Sequence, residues 1–186
     1  MERNLKGLIN LEAILEKARQ LDETALATLT KEFYPVVFRY FYYRTKVKED
    51  AEDLASEVFV RLVGSIKTQK GDFTAWLFRI ARNLLIDYYR KRGRLKETSL
   101  EQMGNESLPD FHRYDKDTLH AEDIKKMLSF LTDEQREVIT LKFLEGYSNE
   151  EIAQIMNKSA GAVKALQFRA LSALRDILKK ESWYKK

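Results

Sequence analysis

Apolar residues recur every three to four positions through most of this chain, the spacing of helices that bury one face. Over residues 5–20 the pattern is Leu8, Leu11, Ile14, Leu15 and Ala18, which predicts a first helix. Asp22 is placed to cap a second. Its inward stripe reads Leu26, Leu29, Phe33, Val36, Val37, Tyr40 and Phe41, and the aromatic run 38–43 reads mostly as core. Pro35 falls inside this stripe and is expected to break or kink the helix near Tyr34, because proline lacks an amide and clashes with the preceding turn. The cleanest pattern is 48–66, with Ala51, Leu54, Ala55, Val58, Phe59, Leu62, Val63 and Ile66 on one face. After a polar loop a fourth helix runs over about 73–92, capped by Asp72 or Thr74, with Leu77, Ile80, Ala81, Leu84 and Tyr88 facing inward.

Periodicity lapses over 96–121, where Gly104, Pro109 and several Ser, Asn and Asp residues mark a linker expected to be flexible. It returns near Asp123. Thr132 and Gln135 stand at capping-box spacing before Val138, Ile139, Leu141, Phe143 and Leu144, and Gly146 ends that helix. Ser148 and Glu151 form a second capping box. Asn157 suits a left-handed helix stop, and Ser159 caps another helix two residues on. Small residues Ala153, Gly161 and Ala162 at the crossing allow two steeply packed helices, backed by Ile152, Met156, Val163, Leu166, Ala170, Leu174 and Ile177. This is helix-turn-helix spacing, in which the second helix offers polar side chains to the DNA major groove. Here those are Ser159, Lys164, Gln167 and Arg169. An ordinary pair of antiparallel helices shares the caps and the stripe. The basic and amide side chains lying off the stripe favour DNA.

The expected fold is therefore all-α, with two small helical domains: residues 1–95, an acidic linker 96–122, and residues 123–186. Only 7 Gly and 2 Pro among 186 residues agree with this. No apolar run is long enough to span a membrane, the N-terminus lacks signal-peptide character, and 0 cysteines exclude disulfides and thiol chemistry. A cytoplasmic protein is expected. Net charge is +4, unevenly spread. Residues 73–96 hold seven basic side chains against Asp87 alone, a net +6. Residues 97–123 hold eight acidic against two basic, a net −6, and from 124 onward the balance is +4. Two positive blocks around a negative connector suggest two polyanion-binding surfaces.

Arg79, Arg82, Asn83, Asp87, Arg90 and Lys91 lie off the apolar stripe of the fourth helix. Cations interleaved with Trp76, Phe78, Tyr88 and Tyr89 suit a nucleic-acid backbone with unpaired bases stacked on it. Trp76 and Phe78 also read as core. The acidic face with Glu49, Asp50, Glu52, Asp53 and Glu57 is either a solvated face or a docking surface for a basic partner. The loop with Lys67, Gln69, Lys70 and Gly71 lacks the glycine and lysine spacing of a phosphate-cradling loop. His112 and His120, the chain's 2 histidines, have no further ligand at metal-site spacing. No metal, cofactor or catalytic constellation is expected, so the chain does not read as an enzyme.

Three motifs together carry a resemblance. Asp50-Ala51-Glu52-Asp53-Leu54-Ala55-Ser56-Glu57-Val58-Phe59 resembles the core-binding helix of the extracytoplasmic-function (ECF) group of bacterial RNA polymerase sigma factors. The run Phe73-Thr74-Ala75-Trp76-Leu77-Phe78-Arg79-Ile80-Ala81-Arg82-Asn83-Leu84-Leu85-Ile86-Asp87-Tyr88-Tyr89-Arg90 resembles its promoter-melting, −10-reading helix. Leu131-Thr132-Asp133-Glu134-Gln135-Arg136-Glu137-Val138 and the helix-turn-helix resemble region 4, which reads the −35 element. Ser56, Asn157, Ala165, Gln167 and Phe168 depart from the family's commoner residues, which leaves the promoter sequence open.

The resemblance implies a polymerase subunit without catalysis of its own, whose partners are core RNA polymerase (the β′ clamp helices and the β subunit), promoter DNA and an anti-sigma factor. It implies core binding by Glu52, Asp53, Ser56, Glu57 and Phe59. It implies −10 contacts by Lys67, Lys70, Arg79, Arg82, Asn83, Asp87, Tyr88, Arg90 and Lys91, and −35 contacts by Ser159, Lys164, Gln167 and Arg169. A stand-alone helix-turn-helix regulator would not need the 50–59 helix, and a helical scaffold would not need the basic block.

Overall fold

A computed structural model describes residues 11–45, 47–98 and 116–180, with side chains described at 11–45, 47–92 and 121–179. Every described element is helical: α1 Leu11–Arg19, α2 Glu23–Tyr42, α3 Lys48–Ser65, α4 Phe73–Thr98, α5 Lys116–Ser129, α6 Asp133–Ile139, α7 Asn149–Met156 and α8 Ala160–Lys180. Leu8 lies outside the described residues, as do His112 and the side chain of His120.

The caps form as their sequences dictate. Asp22 accepts the Ala25 amide at 2.8 Å and Asp72 the Ala75 amide at 2.7 Å. Thr132 with Gln135, and Ser148 with Glu151, close both bonds of a capping box. Asn157 takes the left-handed conformation at φ 52°, and Gly146 follows at φ 78°.

Three expectations need correction. Of the break or kink expected at Pro35, the break does not occur: α2 continues from Glu23 to Tyr42 with the proline inside it. A proline inside a helix costs about 3 kcal/mol, whereas Phe33, Val36, Val37, Tyr40 and Phe41, all buried beside it, each return roughly 1.5–3 kcal/mol. The core outweighs the missing amide. Val63, placed on the apolar face of the third helix, and Phe143, counted among the apolar positions after Thr132, are exposed at 44% and 53%. Phe143 leaves the apolar stripe because α6 widens into a π-helical turn at Thr140–Leu144, which breaks the 3.6-residue phase. Helix α5 begins at Lys116, inside the stretch read as linker.

Helices α1–α4 form one module and α5–α8 the other. Their apolar faces are continuous: a single cluster of buried side chains runs from Leu15 and Phe41 through Phe78 and Leu85 to Leu141, Ile152, Met156 and Leu166. Helix α4 packs directly against α7. A smaller cluster of Tyr43, Leu128, Leu131, Ile139 and Ala170 joins the end of α2 to α5 and α8. The guanidinium of Arg136 holds the α5–α6 corner, donating to the carbonyls of Leu128 at 2.9 Å and Leu131 at 3.1 Å.

Candidate nucleic-acid interface

Helix α3 divides its acids between two faces. Asp50 turns toward α4, where it accepts the Tyr88 hydroxyl at 2.7 Å and Arg92 at 3.0 Å. Asp53 is exposed. Glu52 pairs with Lys48 at 3.4 Å and Glu57 with Arg61 at 2.8 Å, one helical turn away in each case. The Ser56 hydroxyl donates back to the Glu52 carbonyl. Phe59 does not join this surface. It is 7% exposed and its ring lies 5.8 Å from that of Tyr34, so it belongs to the core. The residues that continue the acidic face outward are Val60 and Val63, at 66% and 44% exposure. Val63 stood in the inward stripe, and neither figured among the expected contacts.

The loop before α4 carries Lys67 and Lys70, both exposed. It is anchored by Gln69, which is buried, accepts from Arg19 at 2.7 Å and donates to the Gly71 carbonyl at 2.8 Å. Gly71 at φ 75° turns the chain into α4.

On α4, Arg79, Asn83, Arg90 and Lys91 are exposed. Spacing places Arg79, Asn83 and Arg90 along one stripe, and Ile86, 55% exposed, lies within it. The cations of the block are partly relieved by the protein's own acids. Arg90 pairs with Asp87 at 2.9 Å, Arg92 with Asp50 at 3.0 Å, and Arg82 lies 4.0 Å from Glu137. The block is thus less self-repelling than its sequence implies. Tyr88 is half-buried under Arg92, which also donates to its hydroxyl. Burial first, then its bond to Asp50, pushes this phenol's pKa up. Trp76 packs on Phe73, with ring centroids 5.8 Å apart, and leans on the core as expected.

In the second module the turn between α7 and α8 is as tight as its sequence requires. The Ser159 hydroxyl accepts the Ala162 amide at 3.2 Å. Val163, Leu166 and Ala170 face the core, while Lys164, Phe168 and Arg169 face outward and Gln167 is half-buried. Phe168 is 73% exposed, a bare aromatic on the outer face of the second helix. The first helix is pinned from behind by Lys158, paired with Glu134 at 2.8 Å.

Residues 29–95 match the family described as Sigma-70 region 2, and residues 121–174 match Sigma-70, region 4. The ECF RNA polymerase sigma factor SigX of Bacillus subtilis is 30% identical over 172 residues, covering 86% of this chain and 88% of SigX. The chain belongs to the ECF family of RNA polymerase sigma factors. The ECF sigma factor BldN of Streptomyces coelicolor is 36% identical over 170 residues, and the chain spans 64% of BldN's length. Among solved structures, CnrH in complex with the cytosolic domain of CnrY shares the fold at TM-score 0.72 and 23% identity, across 91% of this chain and 97% of that one. The sigma factor RpoE in complex with the anti-sigma factor NepR, from Bartonella quintana, follows at TM-score 0.68 and 27% identity, covering 83% and 97%.

Within this ECF sigma factor the region 2 match runs from inside α2 to α4 and the region 4 match from α5 into α8, and α3, α4 and α8 are the elements that carry most of the residues described above. The polar side chains between the modules were invisible to sequence reasoning. Tyr40 stood in an inward stripe, Arg39, Glu137 and Glu145 were given no role of their own, and no local pattern pairs residues about a hundred positions apart.

Proposed function

We propose that this chain binds core RNA polymerase and directs promoter-specific initiation, residues 1–95 serving the −10 element and polymerase docking and residues 123–186 serving the −35 element. The observation that carries the reading is one chain that combines a region 2 match, a region 4 match and an exposed carboxylate face on α3. Glu52, Asp53 and Glu57, extended by Val60 and Val63, would dock on a basic, partly apolar surface of the β′ clamp helices. Residues 96–122 with their acidic excess would follow a polymerase path shaped for nucleic acid.

Lys67, Lys70, Arg79, Arg82, Asn83, Arg90 and Lys91 would hold the opened strand. Unpairing costs a few kcal/mol, and base stacking returns roughly 1–3 kcal/mol per base. Asp87 and Tyr88 would keep the cations aligned. Lys164 and Arg169 would contact −35 phosphates, Gln167 would read a base edge, and Ser159 would hold the helix start at the groove. The chain performs no catalytic step in this scheme and works in the cytoplasm beside the polymerase. Among the described residues no helix is long and apolar enough to cross a membrane. The solved RpoE complex supports an anti-sigma partner for this chain as well.

The test is capture of core polymerase by the full chain with DNA digested away. Wild type should retain the β′ subunit and Asp53→Arg should lose it. Equal retention by both would remove the α3 surface from the scheme.

A further inference from the structure

Helix α4 buries one side and offers the other. Leu77, Ala81, Leu84 and Leu85 are buried. On the opposite side, at about 100° per residue, Arg79, Asn83, Ile86 and Arg90 fall within an arc of about 60°. Arg79, Asn83 and Arg90 are exposed and suit a polyanion. Ile86 stands among them, apolar and 55% exposed. Among the described side chains of α4, Tyr89 at 38% is the other exposed large apolar group. Spacing sets it beside Ile86, one turn further on. Its hydroxyl donates to the Arg44 carbonyl at 2.6 Å, and its ring meets that of Tyr88 edge to face with centroids 5.4 Å apart. Ile86 thus has a fixed ring for a neighbour.

An exposed isoleucine does little for the helix that carries it, since Arg, Lys and Glu are better helix formers on a surface. A lone exposed apolar side chain is ordinary; what sets Ile86 apart is where it stands. At 1.5 Å per residue, Arg79 and Arg90 lie about 16 Å apart along α4. That is the reach of about five stacked nucleotides at about 3.4 Å each. Ile86 lies inside this bracket, so a strand held by the two guanidiniums runs past it. It cannot bind phosphate. Its branched side chain has one strongly preferred χ1 rotamer in a helix and projects as a stiff peg. Beside nucleic acid, an apolar peg escapes water by entering the stack of bases. Asn83, one turn before it and exposed, carries an amide able to pair with the edge of a base released from the stack.

We propose that Ile86 is the wedge of α4: it inserts between two neighbouring bases and unstacks them, Asn83 takes an edge of the base set free, and Arg79 and Arg90 hold the phosphates on either side. Apolar side chains, isoleucine among them, open base steps in this way in proteins that kink DNA. The step that yields most easily is a pyrimidine followed by a purine, such as TA. This role rests on the proposed part of α4 in serving the −10 element. Strand separation then starts at Ile86, and the cations supply affinity.

The test uses holoenzyme assembled from core RNA polymerase and the full chain, on a promoter that the wild-type holoenzyme transcribes from fragments of its own genome. Permanganate reads unpaired thymines on the duplex promoter. Run-off transcription is measured on the duplex and on a template whose −10 segment is already open through mismatches. Ile86→Ala should bind the duplex in the cold, before the strands part, as wild type does. It should lower thymine reactivity and duplex run-off by about tenfold or more, and transcribe the open template like wild type. Ile86→Leu keeps the bulk and should retain most of the opening. Ile86→Lys adds a cation to the stripe, so it should hold the duplex at least as tightly as wild type yet open it as poorly as Ile86→Ala. Thermal melts check that the variants fold, as the exposure of Ile86 allows. Opening by Ile86→Ala equal to wild type, an equal loss on the open template, a loss of duplex binding in the cold, or opening by Ile86→Lys above that of Ile86→Ala would overturn the wedge alone. No transcript from wild-type holoenzyme on any fragment would sink the proposed function and the wedge with it.

Discussion

The ring of Tyr147, in the turn before α7, meets that of Phe78 on α4 edge to face, with centroids 5.7 Å apart and planes at 87°. Its hydroxyl is buried, with no hydrogen-bond partner among the described residues. The ring therefore stabilises the junction while the oxygen costs it. Tyr147→Phe keeps the ring and deletes the cost, and is expected to raise stability by about 1 kcal/mol, a thermal shift of roughly 2–4 °C.

The same group sets an alkaline limit. Burial first, then the nearby Glu145 and Glu151, pushes the Tyr147 phenol well above its ordinary value, and burial does the same to Tyr40. Above about pH 10 the unfolded chain loses these protons while the folded chain keeps them. The folded state then binds more protons, so stability falls as pH rises through this range and is intact below it. Urea midpoints measured across the alkaline range should fall less steeply for Tyr147→Phe than for wild type.

Exposed acids on α3 should separate binding from folding. Asp53 is exposed, so Asp53→Arg is expected to change stability by no more than about 0.5 kcal/mol while abolishing polymerase capture. Phe59→Ala should do the reverse at first instance, costing about 3–5 kcal/mol because it opens a cavity beside Tyr34. Thermal melts of the two variants check the contrast.

The helix-turn-helix depends on its first cap. Ser148→Ala removes the acceptor of the Glu151 amide and is expected to cost about 1 kcal/mol. The loss should appear in thermal unfolding and as weaker binding of the −35 duplex, since α7 supports α8 from behind.

Two residues on the outer part of α8 should behave differently on DNA. Lys164→Ala is expected to weaken binding to all sequences alike and to reduce the salt slope by about one. Gln167→Ala is expected to relax preference at one base pair, by about 1–3 kcal/mol of discrimination. Competition titrations against a panel of single-base duplex variants, at two salt concentrations, distinguish these outcomes.

Much of the fold was legible because helices announce themselves locally. Asp22, Thr132, Ser148 and Asn157 act through bonds that span four residues or fewer, and Val58, Leu62, Val163 and Leu166 follow a period that one helix imposes. The break expected as one outcome at Pro35 does not occur, because the local cost of proline is visible in the sequence and the tertiary gain around it is not. Val63 and Phe143 were misread because periodicity names a face without its edges, and because a single π turn shifts the phase. Within the candidate site the exposed cations and the acidic face followed from charge and spacing. The partners of Arg82, Arg92 and Tyr88 did not, since each is a contact between elements. Arg39, whose Nε and Nη2 donate to both carboxylate oxygens of Glu145 at 2.8 and 2.6 Å, is the extreme case: two ordinary surface residue types that only the packing of α2 against the second module makes a pair.

The most direct measurement is run-off transcription with purified core RNA polymerase, the full chain and fragmented DNA of its own genome. The account predicts discrete transcripts that depend on the chain, vanish with Asp53→Arg, and start downstream of a shared pair of sequence elements. Absence of any chain-dependent transcript, from a chain that binds core polymerase and DNA under the same conditions, would contradict it.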